Sequence, residues 1–197
     1  MAHLKSIMPI PVLAFLAAAI AAGLPALVAG SEPPRSSLVV VCDDNYPPYI
    51  FRDADRRLQG ILPDQWALWQ QKTGVRVELQ AMDWGEAQRV MQEGRADVID
   101  TIFRTPEREQ FYSFTPPYAT IQVPVFAHKS LAGIAGVDSL QGFSVGVKSG
   151  DAVIGHLTNR GISSLEEFPS YESIIQAAKE EKLKVFSVDQ PAAIYYL

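Results

Sequence analysis

Short apolar runs alternate with amphipathic stretches along most of this chain. Residues 38–41 are continuously apolar, 75–79 alternate apolar with polar, and 97–99 form a short buried run, so all three read as strands. Between them, residues 64–72 place Trp66 and Trp69 one turn apart, and residues 84–93 put Ala87, Val90 and Met91 on one face, which is helical spacing. The order β-α-β-α-β predicts a parallel sheet covered by helices on both faces. A second series follows the proline-rich residues 115–124. It predicts a strand at 144–147, a helix at 152–159 closed by Gly161, and a strand at 165–168. An amphipathic helix at 171–182 follows, with Ile174, Ile175 and Ala178 inward, and then a last strand at 184–188. Two α/β units of this size predict two lobes with a ligand cleft between them.

The N-terminus departs from this pattern. After Lys5 the stretch from Ile7 to Ala29 is dominated by Ala, Leu, Ile and Val, and it ends in the small residues Val28-Ala29-Gly30. A charged start, an apolar middle and a small-residue end describe a secretory signal. Its 23 residues are also long enough for an uncleaved anchor across a bilayer of roughly 30 Å. Pro9, Pro11 and Pro25 favour cleavage, because a spanning helix must satisfy the backbone groups that proline disrupts. Either way the remainder is exported, to the periplasm or anchored at the outer face of the inner membrane. Residues 1–30 are thus a signal peptide or anchor, 31–37 a polar linker, 38–126 the first lobe and 127–197 the second.

Composition narrows the functional classes. All 22 acids lie beyond residue 31, together with 16 of the 17 Lys and Arg residues, so the exported part is acidic and nucleic acid is a poor partner. One cysteine, Cys42, forms no internal disulfide and reads as a small buried residue. His128 and His156 have no second ligand at helical spacing, so neither metal nor cofactor is expected. Ser149, Asp151 and His156 are near in sequence without a nucleophile elbow, which argues against a hydrolase.

In open α/β sheets, ligands bind beyond the carboxyl ends of strands. Those ends carry Asp43 to Tyr49, Asp100, Lys148-Ser149-Gly150-Asp151, and Asp189. Tyr46 and Tyr49 flank two prolines that hold the loop extended and present an aromatic face, unless both simply pack within the loop. Thr105-Pro106-Glu107-Arg108 reads as a helix start with Arg108 in the first turn. A cation there opposes the helix dipole unless an anion is delivered to it. The guanidinium fork suits a carboxylate, the alternative being a surface pair with Glu107 or Glu109. Lys148 and the backbone amides after it are placed to hold an anion, while Asp151 reads equally as the N-cap of the next helix.

From about Leu38 onward the chain resembles the bacterial extracellular solute-binding proteins of family 3, two-lobed receptors for polar amino acids and related solutes. The resemblance is carried in order by several segments. Asp43 to Tyr49 with its YPPY, Gly60-Ile61-Leu62-Pro63-Asp64, Trp84, Gly94-Arg95-Ala96-Asp97 and Thr105-Pro106-Glu107-Arg108 come first. Phe114-Thr115-Pro116-Pro117-Tyr118, Val145-Gly146-Val147-Lys148-Ser149-Gly150 and Val188-Asp189 follow. It implies a type II periplasmic binding protein fold and no enzymatic activity. It also implies roles: Arg108 clamps a ligand carboxylate, Asp189 takes the ammonium, Tyr46 stacks on the ligand, and Asp43 and Lys148 reach its side chain. Thr101 and Phe103 depart from the residues many amino-acid receptors carry there, and Asp151 replaces a common threonine.

The run from Val98 to Arg108 is most similar to the variant that forms the external sensor of membrane signalling proteins. Relative to the family pattern, the second lobe is incomplete and the return to the first lobe is missing, which suits a fragment of a sensor. The expected function is capture of an amino acid, with a cationic side chain favoured because Asp43, Asp100, Asp151 and Asp189 outnumber Arg108 and Lys148. The alternatives are a soluble receptor for an ABC importer, with a permease as partner, and a dehydratase-like periplasmic enzyme on the same fold.

Overall fold

A computed structural model describes residues 36–197. The apolar N-terminal segment and most of the expected linker lie outside the described residues. Among those described, no helix is long and apolar enough to cross a membrane.

The first lobe opens with β1 (Ser37–Asp43), followed by a small hairpin sheet of β2 (Asn45–Tyr46), β3 (Ile50–Arg52) and β4 (Leu58–Gln59). Then come α1 (Ile61–Thr73), β5 (Arg76–Met82), α2 (Trp84–Gln92) and β6 (Val98–Ile99). The second lobe holds β7 (Val125–Ala127), β8 (Val145–Lys148), α3 (Ala152–Thr158) and β9 (Leu165–Phe168). It continues with α4 (Tyr171–Lys179), β10 (Val185–Ser187) and α5 (Gln190–Tyr196). The main sheets have orders β5-β1-β6, all parallel, and β7-β10-β8-β9, parallel except for β7. This is the two-lobed periplasmic binding protein fold.

The alternation of side chains along a strand explains why each sheet needs cover on both faces. On β1, Cys42 packs with Leu62 of α1, while Val41 packs with Trp84, Ala87 and Val90 of α2. In the second lobe, Val145, Val147 and Val185 meet Val153 and Leu157 of α3, and Phe186 and Val188 meet Ile174 and Ile175 of α4. The cluster around Cys42, Tyr46, Ile50 and Leu62 is continuous with Tyr171, Ile174, Phe186 and Ala192, so one apolar core crosses from lobe to lobe.

Several expectations shift. Helix α1 begins at Ile61, not at residue 64, because Pro63 sits in the first turn, where no intrahelical N–H is required. The expected long helix at 171–182 ends at Lys179, and Glu181 has a left-handed φ of 57°. The segment after Thr105 is no regular helix but a single 3-10 turn, Arg108–Gln110, with Thr105 Oγ1 accepting from the Arg108 amide at 3.3 Å. The hairpin, β7 and α5 carry too few residues for a periodic signal. Since β7 pairs with β10, the second sheet already begins at Val125, and the expected boundary after residue 126 falls inside a strand.

Gly60 fixes how the Tyr46 loop meets α1. Its φ is +119°, and a Cβ there would lie 2.4 Å from the Tyr49 carbonyl oxygen, so only glycine lets the helix start against that loop.

Candidate functional site

The carboxyl ends of β1, β8 and β10 converge between the lobes. Asp43 ends β1, Lys148 ends β8, and Asp189 follows β10 as the N-cap residue of α5. Around them stand Tyr46, Trp84, Arg108, Asp151 and Tyr171, enclosing a cavity of about 20 Å³. A space of that size holds about one water molecule. The lobes therefore stand closed on each other.

Three contacts across the lobes converge on one carbonyl. Gly150 O, in the second lobe, accepts from Trp84 Nε1 at 3.0 Å, Gln88 Nε2 at 3.2 Å and Arg108 Nη2 at 3.1 Å, all three from the first. Gly150 turns this carbonyl outward with φ +71°, and a Cβ would come within 2.8 Å of Gln88 Nε2. The other terminal nitrogen of the guanidinium, Arg108 Nη1, donates to Phe103 O at 3.1 Å, and the Trp84 ring lies 5.6 Å from Cζ. Burial lowers the pKa of Arg108. Of the two alternative surface partners, Glu109 is taken by Arg104 at 2.5 Å.

Asp189 is 1% exposed. Tyr46 Oη donates to its Oδ2 at 2.5 Å, but Oδ1 accepts no hydrogen bond, the one such buried side-chain atom among the described residues. Although Asp189 occupies the N-cap position, its side chain makes no cap bond. Burial, then the neighbouring Asp151, push its carboxyl up to about 7, against the opposing pull of the Tyr46 and Tyr171 hydroxyls and Lys148. The Tyr46 hydroxyl is pushed up in turn, by burial first and then by Asp189.

Asp43 and Lys148 form a buried ion pair across the lobes, and Lys148 Nζ also lies 4.9 Å from the centre of the Tyr171 ring. Burial raises the Asp43 carboxyl while Lys148 lowers it. The expected anion cradle after β8 is not open. Lys148 is spent on Asp43, and the Ser149 and Asp151 amides donate to Phe168 O and Lys148 O. Asp151 stands at the N-cap position of α3 without capping it, and accepts from Tyr171 Oη at 2.5 Å instead.

Of the seven residues singled out from sequence, Asp43, Tyr46, Arg108, Lys148, Asp151 and Asp189 line this one cavity. Asp100 does not. Its carboxylate accepts from Trp66 Nε1 at 2.7 Å, Tyr118 Oη at 2.6 Å and the Thr101 amide at 2.6 Å. The backbone turns away after it, Thr101 having φ 56°, and Thr101 and Phe103 reach the cavity in its place. Tyr171 and Trp84 also line the cavity, though the sequence marks neither as a ligand residue. Tyr171 lies three residues beyond the end of β9 and Trp84 two beyond β5, so the rule that drew attention to Asp43 reaches them as well.

The interlobe cavity thus brings a guanidinium and a carboxylate together. Residues 38–178 match the family model of the bacterial extracellular solute-binding proteins, family 3, and the chain belongs to that family. A curated relative, the L-cystine-binding protein TcyJ of Escherichia coli (strain K12), is 29% identical over 118 residues, covering 59% of this chain and 44% of that protein. The matched stretch is thus less than half the length of that relative. Among solved structures, an ancestral arginine-binding protein bound to arginine is 26% identical with a TM-score of 0.74, over 82% of this chain and 74% of that one. A histidine kinase sensor domain with similarity to periplasmic binding proteins shares the fold, with a TM-score of 0.77 at 24% identity, over 82% and 72% of the two chains. The family and the curated relative are binding proteins.

Proposed function

We propose that the chain is an extracytoplasmic module that captures an amino acid between its lobes. Arg108 takes the ligand carboxylate, and Asp189 takes the ammonium. The observation that carries this reading is the pairing of Arg108 with Asp189 on one cavity, where Asp189 keeps a buried oxygen without a hydrogen-bond partner. A desolvated acceptor left unpaired is costly, and an ammonium relieves that cost. The ligand carboxylate replaces the Gly150 and Phe103 carbonyls as the partner of the guanidinium, a bidentate exchange that the closed cavity admits only after the lobes part.

The acid surplus behind a cationic side chain is smaller at the site than along the sequence, because Asp100 lies outside and Asp43 is neutralised by Lys148. Asp151 supplies what remains. The module serves as the sensory input of a membrane signalling protein, on the resemblance carried by residues 98–108. A second reading is a receptor delivering solute to an ABC permease; the relative named for L-cystine binding supports solute capture in either role.

Titration calorimetry against the twenty amino acids tests the ligand class. Binding is expected for a subset, with Arg108→Ala weakening it about 30-fold or more, as for loss of a charged, desolvated hydrogen-bond partner. Binding of none of the twenty, or undiminished binding by the variant, rejects the reading.

A further inference from the structure

Two carboxylates face the closed cavity with no cation to spare for either. Asp189 is 1% exposed, and the less buried Asp151 lines the same space. Each receives one tyrosine hydroxyl at 2.5 Å, Tyr46 donating to Asp189 and Tyr171 to Asp151. The cations beside them are engaged: Lys148 pairs with Asp43, and Arg108 donates to the Gly150 and Phe103 carbonyls. Asp43, Asp151 and Asp189 thus outnumber Lys148 and Arg108 around one cavity. When two acids share a desolvated site, one of them holds its proton to higher pH, and deeper burial selects which. Asp189 is displaced in that direction, by burial first and by Asp151 second.

We propose that in the empty site a proton on Asp189 stands in the ammonium's place, so that capture of an amino acid expels this proton and is weakened by acid. The inference rests on the reading that Asp189 takes the ammonium. The exchange balances: the carboxyl O–H gives its proton to water when the lobes part, and the carboxylate left behind accepts from the incoming ammonium, which keeps its own protons. Burial pushes the Tyr46 and Tyr171 hydroxyls up, so neither tyrosine supplies the proton. Without it, the empty cavity holds two neighbouring negative charges and a bare carboxylate oxygen, an arrangement that is costly to keep from water. Proton and ammonium are alternative occupants of one position, and pH sets which prevails when the solute is scarce.

The test has a ligand-free part and a binding part, both on the whole 197-residue chain. Infrared difference spectra between about pH 5 and pH 8 are expected to show a protonated carboxyl lost with a midpoint at about 7, and to lack that band in Asp189→Asn, whose fold circular dichroism confirms. Asp151→Asn removes the neighbouring charge and is expected to move the midpoint to lower pH, which a titration of Asp43 against Lys148 would not do. Calorimetry of the twenty amino acids in phosphate and in Bis-Tris, buffers of different ionisation heat, is expected to show about one proton released for each molecule bound near pH 6. Binding is expected to be about tenfold or more weaker at pH 5 than at pH 8. A carboxyl already ionised at pH 5, a midpoint that Asp151→Asn leaves in place, or equal affinity at both pH values without proton release overturns the inference and leaves the amino-acid reading standing. If none of the twenty binds at either pH, the reading and the inference fall together.

Discussion

Asp43 with Lys148 and Asp189 with Arg108 are both acid–base pairs with one partner in each lobe, and they meet different fates. The first two groups close on each other, fully buried. The second two share a cavity without joining: Arg108 turns to backbone carbonyls, and Asp189 to a tyrosine, with one oxygen left over. A pair that is complete holds the lobes together. Under the proposed function the second pair is completed by the ligand, because desolvated groups held apart at a fixed spacing gain most from a molecule that bridges them.

Breaking the complete pair should have the largest effect. Lys148→Met leaves Asp43 buried and uncompensated, an expected loss of about 3–5 kcal/mol in urea unfolding. Adding Asp43→Asn should recover part of it. A loss below about 1 kcal/mol for the single variant would show that water, not Lys148, already compensates Asp43.

The incomplete pair should show itself through pH. With its carboxyl raised from the ordinary 3.8 to about 7, Asp189 holds a proton in the folded chain over a range where the unfolded chain has lost it. Stability should therefore fall as pH rises from about 4 to 7, with a slope approaching 1.4 kcal/mol per pH unit from this group alone. Asp189→Asn should remove that share of the slope, measured as the difference between urea melts across the window. Equal slopes in parent and variant would mean that the folded carboxylate is ionised throughout.

The smallest expected effect belongs to the closure itself. Trp84→Phe removes one of the donors on Gly150 O and leaves Gln88 and Arg108, so about 1 kcal/mol or less should be lost. Small-angle scattering should show the unliganded lobes spending more time apart, and an unchanged profile would assign closure to the Asp43–Lys148 pair.

Much of this was legible before any coordinates. The run at β1 and the 3.6-residue spacing of Trp84, Ala87 and Val90 marked a strand and a helix because each must bury one face. Asp43, Lys148 and Asp189 were conspicuous because polar residues rarely end an apolar strand without employment. Arg108 was expected in the first turn of a helix, and one 3-10 turn stands there instead. Asp100 looked equivalent to Asp43 in its place after a strand, yet the left-handed turn at Thr101 gives it to Trp66 and Tyr118.

What the amino-acid order determined alone was the α/β class, the division into two lobes and a short roster of charged groups at strand ends. Those follow from local periodicity, which each segment carries in itself. Which charge pairs with which was decided only in three dimensions. Asp43 and Lys148 are 105 positions apart and Tyr46 and Asp189 are 143 apart, and partners that distant leave no periodic trace in the chain. The unpartnered oxygen of Asp189 is likewise a property of packing, since it exists only where neighbouring side chains exclude water without replacing its hydrogen bonds.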